Sequence, residues 1–185
     1  MQLYARVTDI LAQIQDFGNI NPEVLAAKAK LGTQIHAAID AHVAGEFYTI
    51  PSEKAQKYFD SYLKWGSKHV CEYVEREKRL FDDQLMITGQ FDGLVNFKDK
   101  QHVLIDYKTS YKASPDIWIL QAHFYWYLCN RNNIPAGDTM QWINLSRTGA
   151  EAKVYEFTFS EGVLFKCIEL ANQFWENYNN AKNHE

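Results

Sequence analysis

The 185-residue sequence has few cysteines and lacks any long apolar run. Its three cysteines, Cys71, Cys129 and Cys167, are odd in number and widely spaced, which excludes a disulfide framework and a four-thiolate metal or iron–sulfur site. We therefore expect reduced, buried thiols. No apolar run approaches the roughly 20 residues that a membrane-spanning helix needs, and charge appears early at the N-terminus. The sequence thus predicts no transmembrane helix, no signal peptide and a cytoplasmic location.

An excess of positive charge is also missing. The formal net charge is −4, which argues against a surface that coats nucleic acid but leaves room for a local basic groove. Apolar residues make up 46% and charged residues 23%, close to the average soluble globular domain, so collagen-like and disordered classes are excluded. The length predicts one domain that covers residues 1–185.

The apolar pattern predicts four helices and five strands. Helical spacing that begins at capping residues and ends at helix-breaking positions predicts helices over residues 22–45, 52–70, 115–128 and 160–180. Alternation of apolar and polar residues predicts strands over residues 73–81, 85–97, 102–109, 139–146 and 153–159. The order predicts an α+β domain with a central mixed sheet, flanked by helices, whose first three strands form a meander.

The carboxylate of Asp106 and the ammonium group of Lys108 lie in the third predicted strand. Residues two apart in a strand leave the same face, so these two groups share one pocket. The short hairpin from the preceding strand brings Asp92 beside Asp106. Two adjacent carboxylates repel unless a positive charge lies between them, and oxygen ligands with open positions suit Mg²⁺ or Mn²⁺. Such an ion stabilises charge on a phosphoryl oxygen, and Lys108 would then steady the attacking water or the transition state.

These residues also allow a purely structural interpretation. In it, Asp106 and Lys108 form an ion pair at a sheet edge and Asp92 is a turn residue, since short motifs often match by chance. His36 would then be a core or helix-surface histidine, paired with Asp40 one helical turn later. The residues considered alone leave both interpretations open.

Four segments in a fixed order resemble the RecB-like branch of the PD-(D/E)XK nuclease superfamily. They are GTQIHAAID at 32–40, ITGQFDGLV at 87–95, VLIDYKTS at 103–110 and QAHFY at 121–125, and VTDIL at 7–11 is similar to the family's start. The resemblance implies a restriction-endonuclease-like core and a Mg²⁺- or Mn²⁺-dependent deoxyribonuclease. The activity implied is that of an exonuclease on DNA ends or single strands in recombination, repair or mobile-element replication.

The resemblance also implies which residues hold the metal. Asp92 and Asp106 would be the metal carboxylates, and His36 would be the helix-borne ligand of this branch. Tyr107 would add its carbonyl oxygen. Glu77 lies where the family has a glutamate on its first strand, and it would help to hold a second cation.

Further residues are implied in catalysis and DNA binding. Lys108 would be the catalytic lysine. Gln121 and Tyr125 are four residues apart on one helix face, match the Q-x-x-x-Y element of the branch, and would orient Lys108 or a DNA phosphate. The residues expected to contact DNA beyond the catalytic strand are Thr109, Ser110 and Lys112.

Two departures from the family pattern are visible. No proline precedes Asp92, and the second acid is Asp106 where many relatives have glutamate, although this branch tolerates both. Because the four cysteines of cluster-bearing relatives are missing, the resemblance implies a version without an iron–sulfur cluster. DNA is the expected partner, with a recombination or single-strand-binding protein as a candidate. The alternative is an inactive nuclease-fold binding or structural subunit, which the complete set of acids and lysine disfavours.

Overall fold

The computed structural model describes residues 3–15, 21–70 and 72–182, and these ranges contain six strands and five helices. The strands are β1 (Ala5–Arg6), β2 (Glu72–Asp82), β3 (Ile87–Asn96), β4 (Val103–Lys108), β5 (Thr139–Asn144) and β6 (Lys153–Thr158). The helices are α1 (Val7–Ala12), α2 (Pro22–Ala44), α3 (Glu53–His69), α4 (Pro115–Arg131) and α5 (Glu161–Lys182). All nine predicted elements are present. The sequence pattern missed β1 and α1, because two and six residues are too short for a periodic signal.

The sheet is mixed and opens at its centre. β2 pairs with β3 in the antiparallel sense along nearly its whole length, so β1 and β4 share the opposite edge of β3. On that edge β1 pairs in parallel at Ile87 and Thr88, whereas β4 pairs antiparallel over residues 93–95. Within the described ranges, residues 89–92 of β3 have no strand partner on this edge. The β2–β3–β4 meander was predicted; the gap beside it was not.

Helices cover both faces of the sheet. α1, α4 and α5 bury their apolar residues against one face, and α2 and α3 pack on the other. Along β4, Leu104 belongs to the α4 side, whereas Val103 and Ile105 belong to the α3 side. Asp106 and Lys108 have the parity of Leu104, so the strand directs both toward α4. The mixed sheet flanked by helices confirms the predicted fold class.

Local sequence signals set the ends of α2 and α3 and the start of α4. Asn21 Oδ1 accepts the N–H of Glu23 at 2.8 Å and starts α2, and Gly45, with φ of +70°, ends it. Ser52 Oγ accepts the N–H of Ala55 at 3.1 Å and starts α3. Ser114 precedes α4 without a side-chain cap, and Pro115 begins that helix.

Two of the three cysteines are described, and they behave as expected. Cys129 and Cys167 are buried and free, and burial raises the pKa of each thiol to about 12. Cys71 lies outside the described residues. In the ranges that the structure describes, no helix combines the length and the apolar character needed to cross a membrane.

Asp82 ties the β2–β3 turn to the end of α4. Its Oδ2 accepts the N–H of Leu85 at 2.7 Å and the hydroxyl of Tyr127 at 3.1 Å, and its Oδ1 accepts Arg131 Nε at 2.8 Å. Burial raises the pKa of this carboxyl, but the hydrogen bonds and the Arg131 charge outweigh it and hold the pKa below its usual value. The turn that leads into β3 is therefore anchored through one side chain.

We expect Asp82→Ala to lower the free energy of unfolding by about 2–3 kcal/mol, because it leaves donors of partly buried groups unpaired. The folded pKa lies below the unfolded value of about 3.9, so this contribution is present above that value and is lost as pH falls through the folded pKa. Urea denaturation from pH 7 down to pH 3 measures both effects. Asp99→Ala, at an exposed turn position, removes the same charge and should change stability by less than about 0.5 kcal/mol. Equal losses in the two variants would contradict this role.

Candidate active site

A cavity of about 720 Å³ lies beside the unpaired part of β3. Side chains from α1, α2, β2, β3, β4 and α4 line it, since all of these elements border the gap in the sheet. Ten of the eleven predicted site residues line this cavity: His36, Glu77, Asp92, Asp106, Tyr107, Lys108, Thr109, Ser110, Gln121 and Tyr125. Lys112 is exposed and does not line it. Residues far apart in the sequence thus meet in one cleft.

Asp92 takes the place of a strand partner where the β3–β4 ladder ends. The last ladder pair on this side is Gly93 with Ile105. One residue farther, Asp92 Oδ2 accepts the backbone N–H of Tyr107 at 2.5 Å, which satisfies a buried donor that the ladder no longer pairs. Asp92 is a buried strand residue rather than the turn residue of the structural interpretation.

His36 reaches Asp92 from α2. The buried face of α2, which includes Ile35 and Ile39, packs on the sheet and brings His36 Nδ1 within 2.9 Å of Asp92 Oδ1. Asp40 does not pair with His36, because Arg76 Nη1 contacts its Oδ1 at 2.6 Å.

The pKa of His36 is raised. Burial alone lowers this pKa, but the charge and hydrogen bond of Asp92, helped by Asp106, raise it to about 9. The imidazolium supplies the positive charge that two neighbouring carboxylates require. A divalent cation at the same carboxylates would repel that proton, so the neutral ring would become available as a ligand.

Glu77 lies opposite Asp92 on β2. The flanking ladder pairs are Arg76 with Gly93 and Lys78 with Phe91. Its backbone φ is +44°, which is uncommon for a residue with a side chain and tends to occur at functional sites. Burial, with a smaller contribution from Asp92, raises the pKa of Glu77 to about 7. One ligand atom from each of His36, Glu77 and Asp92 lies within 4.8 Å of the others.

Asp106 is buried and paired with Lys108. Its side chain is 5% exposed, and Lys108 Nζ lies 2.5 Å from its Oδ2. Burial raises the pKa of Asp106 and Lys108 opposes it, with about 6 as the result. Among the described residues, the ligand atoms that lie together belong to His36, Glu77 and Asp92, and Asp106 stands outside this group. A nitrogen and carboxylate oxygens in one cavity fit a hard cation such as Mg²⁺ or Mn²⁺. The ion pair with Lys108 is present, but β4 is flanked by β3 and β5 and is not a sheet edge.

A chain of hydrogen bonds holds Lys108 to α4. Lys108 Nζ donates to Gln121 Oε1 at 2.7 Å, and the same oxygen accepts Trp142 Nε1 at 3.2 Å. Gln121 Nε2 donates in turn to the hydroxyl of Tyr125 at 2.8 Å. Because Gln121 and Tyr125 are buried on one face of α4, this chain restricts where the ammonium group can lie.

Sequence reasoning missed Gln90, which joins two strands at the cavity. Its Nε2 donates to Glu77 Oε2 at 2.5 Å, and its Oε1 accepts Arg79 Nη2 at 2.8 Å. The sequence signal that could have identified it is its position two residues before Asp92, since alternate residues of a strand share a face. Three basic residues of β2 lie nearby: Arg76 and Lys78 are engaged in ion pairs, and Arg79 lines the cavity.

Comparisons with known proteins agree with this geometry. The family model of the PD-(D/E)XK nuclease superfamily matches residues 9–183. The chain belongs to this superfamily. The resemblance drawn from the sequence segments is thereby confirmed. A search among curated proteins found no match.

Two solved structures share the fold of this chain. An alkaline exonuclease from Laribacter hongkongensis superposes with a TM-score of 0.53 and 9% identity, over 98% of this chain and 90% of that one. A putative exonuclease from Eubacterium rectale superposes with a TM-score of 0.55 and 8% identity, over 100% of this chain and 83% of that one. At such low identity the likeness shows the fold alone.

β3 and α4 approach each other closely at Gly89. A Cβ atom at this position would lie 2.8 Å from Tyr125 Cε1 and 2.9 Å from Leu128 Cδ1, so only glycine leaves both side chains in place. The position of Tyr125, and through it that of Gln121, therefore depends on the absence of a side chain at residue 89.

We expect Gly89→Ala to lower the free energy of unfolding by about 1–3 kcal/mol, because the added methyl group overpacks the contact with α4. Chemical denaturation measures the change. The matched control is Gly162→Ala in the first turn of α5, where a Cβ would meet only Ser160 Oγ at 3.9 Å. That variant should be neutral or slightly stabilising. Unchanged stability in Gly89→Ala would show that the contact relaxes freely.

Proposed function

We propose that this chain is a divalent-metal-dependent deoxyribonuclease that hydrolyses phosphodiester bonds. The observation that supports it best is the convergence of Glu77, Asp92, Asp106, His36 and Lys108 on one cavity. A serine, threonine or cysteine nucleophile is not needed in such a site, because a water can attack phosphorus directly.

The residues proposed to hold Mg²⁺ or Mn²⁺ are Asp92, Asp106, His36 and Glu77, together with the carbonyl oxygen of Tyr107. The bound ion would lower the pKa of a water and offset negative charge on the phosphate. Asp92 and Asp106 each lie one residue beyond the last ladder pair, Gly93 with Ile105, and this position supports a role for both carboxylates at one cation.

Lys108 is proposed to act on the phosphate and the attacking water. An ammonium group has three donors, of which one is given to Gln121 and another is directed toward Asp106. At least one donor therefore remains for an oxygen of the substrate. Because Trp142 Nε1 also donates to the Gln121 oxygen that accepts Lys108 Nζ, that oxygen is fixed and Lys108 is positioned before the substrate arrives. Such positioning is how electrostatic stabilisation of a transition state becomes effective.

We further propose an exonuclease that acts on DNA ends or single strands, in recombination, repair or mobile-element replication. The names of the two exonucleases that share the fold favour this mode. In the part of the chain that the structure describes, no helix-turn-helix or zinc finger accompanies the cavity. Contacts to the DNA backbone should therefore dominate recognition, and sequence preference should be weak.

We expect Lys108→Ala to slow single-turnover DNA cleavage by about 100-fold or more, since an oriented charge is lost from the transition state. Affinity for metal and DNA should change little, because the proposed ligands remain. Lys108→Arg keeps the charge but not the compact geometry, so it should restore little activity. Thermal unfolding of each variant monitors folding, and Lys57→Ala on α3, paired with Glu53, is the charge-matched control. Cleavage by Lys108→Ala at nearly the wild-type rate would refute the mechanism, whereas a wild type that binds DNA without cleaving it would favour the inactive binding module.

Metal dependence is tested separately. Excess chelator should abolish cleavage, and added Mg²⁺ or Mn²⁺ should restore it. Asp92→Asn and Asp106→Asn should each weaken metal binding by about tenfold or more in calorimetry, whereas Asp99→Asn should leave it unchanged. Cleavage that continues in excess chelator would rule out the proposed chemistry.

A further inference from the structure

A second cavity of about 310 Å³ adjoins the proposed active site. Ser110 lines both cavities, so the two are neighbours at the segment that follows β4. The second cavity is formed by this segment and by the β5–β6 connection, and Tyr111, Asn144, Arg147 and Lys153 are among its lining residues. None of the proposed chemistry uses Tyr111 or Arg147.

Tyr111 and Arg147 form a stacked pair at the mouth of this cavity. The Cζ atom of Arg147 lies 4.4 Å from the centre of the Tyr111 ring. The tyrosine is 77% exposed, so most of its ring is accessible from solvent. An aromatic ring that is supported by a guanidinium group and open to solvent is a surface on which another flat ring can stack.

The charge around this pair is positive, in contrast with the chain as a whole. Arg147 and Lys153 line the cavity, and among the described residues neither forms an ion pair with a carboxylate. Glu151 is the one acidic residue among those that line this cavity in the described ranges, and Lys68 contacts it at 2.7 Å. The local charge therefore suits a polyanion.

The pair is held in a defined position relative to Lys108. Leu145 N–H donates to the Lys108 carbonyl at 2.7 Å, and Ser146 N–H donates to Ser61 Oγ at 2.8 Å. With its amide oriented to donate, Asn144 contacts the carbonyl oxygens of Lys108 and Ser110, each at 3.1 Å. Tyr111 is three residues beyond Lys108, a span of at most about 11 Å. The platform thus lies close to the proposed chemistry.

We propose that Tyr111 and Arg147 form a stacking platform for the base of an unpaired nucleotide adjacent to the phosphate at Lys108. This inference rests on the proposed nuclease function and specifies its substrate as a single strand at that nucleotide. A base inside a duplex has both faces covered by neighbouring pairs, so it cannot lie on the tyrosine ring. A cationic groove combined with an exposed aromatic ring is the arrangement by which proteins bind single strands.

The test uses the full chain with fluorescein-labelled oligonucleotides, single-stranded or in a duplex of the same sequence. In chelator, to prevent cleavage, Tyr111→Ala should weaken single-strand binding by about 5- to 100-fold in fluorescence anisotropy, and Tyr111→Trp should keep it within a few-fold. The matched control is Tyr178→Ala on α5, whose ring contacts Lys182 Nζ at 4.8 Å and lines neither cavity. It should bind as the wild type does.

An abasic scan locates the stacked base. In the wild type, removal of one particular base should cost affinity, and in Tyr111→Ala that same removal should cost nothing further, because the two changes delete one contact. Equal loss of single-strand and duplex affinity, or single-strand binding by Tyr111→Ala at wild-type strength, would overturn the platform.

Hydrolysis of an oligonucleotide in which every base is replaced by an abasic site separates this inference from the proposed function. That substrate offers no ring to stack, so Tyr111→Ala should hydrolyse it at the wild-type rate in Mn²⁺, whereas its KM for the normal oligonucleotide should rise. A reduced rate on the abasic substrate would mean that Tyr111 supports the active site itself, against the platform. If the wild type cleaves neither substrate, the proposed function fails while the anisotropy result still decides the platform.

Discussion

The hydrogen bond from the Tyr107 N–H to the Asp92 carboxylate is the contact on which the cavity depends. It lies where β3 and β4 stop pairing, and it satisfies a buried donor whose loss would cost about 1–3 kcal/mol. By replacing a ladder bond with a side chain, the fold separates the strands and still pairs the Tyr107 amide. The same carboxylate contacts His36, so one residue joins α2 to two strands at the bottom of the cleft.

The separation of the strands places several charges in a poorly solvated region. Buried charges are costly unless each has a partner, and here Asp92 has His36 while Asp106 has Lys108. The balance is incomplete, because burial still raises the pKa of Asp106 to about 6 and that of Glu77 to about 7. Such a site gains stability from a cation, which is consistent with the superfamily to which the chain belongs.

β4 connects the two cavities through its last residue. The Lys108 ammonium group faces α4 and its carbonyl oxygen accepts the Leu145 N–H, so one residue contributes to both the proposed chemistry and the position of the β5–β6 connection. Arg147 follows shortly after Leu145 and stacks on Tyr111. The net charge of −4 does not reveal this arrangement, since Arg147 and Lys153 line a cavity in which Glu151 is the one acidic residue among the described lining residues.

Local sequence patterns determined the four long helices, five of the strands and the shared face of Asp106 and Lys108, because the periods of 3.6 and 2 fix side-chain direction within each element. The tertiary structure decided which side chains from different elements contact each other. His36 could have paired with Asp40 in its own helix, but the position of β2 gives Asp40 to Arg76 and leaves His36 to Asp92. Register and packing between segments far apart in the chain also produce the gap in the sheet, the strands β1 and β2 on opposite edges of β3, and the second cavity. No pattern within one segment encodes that information.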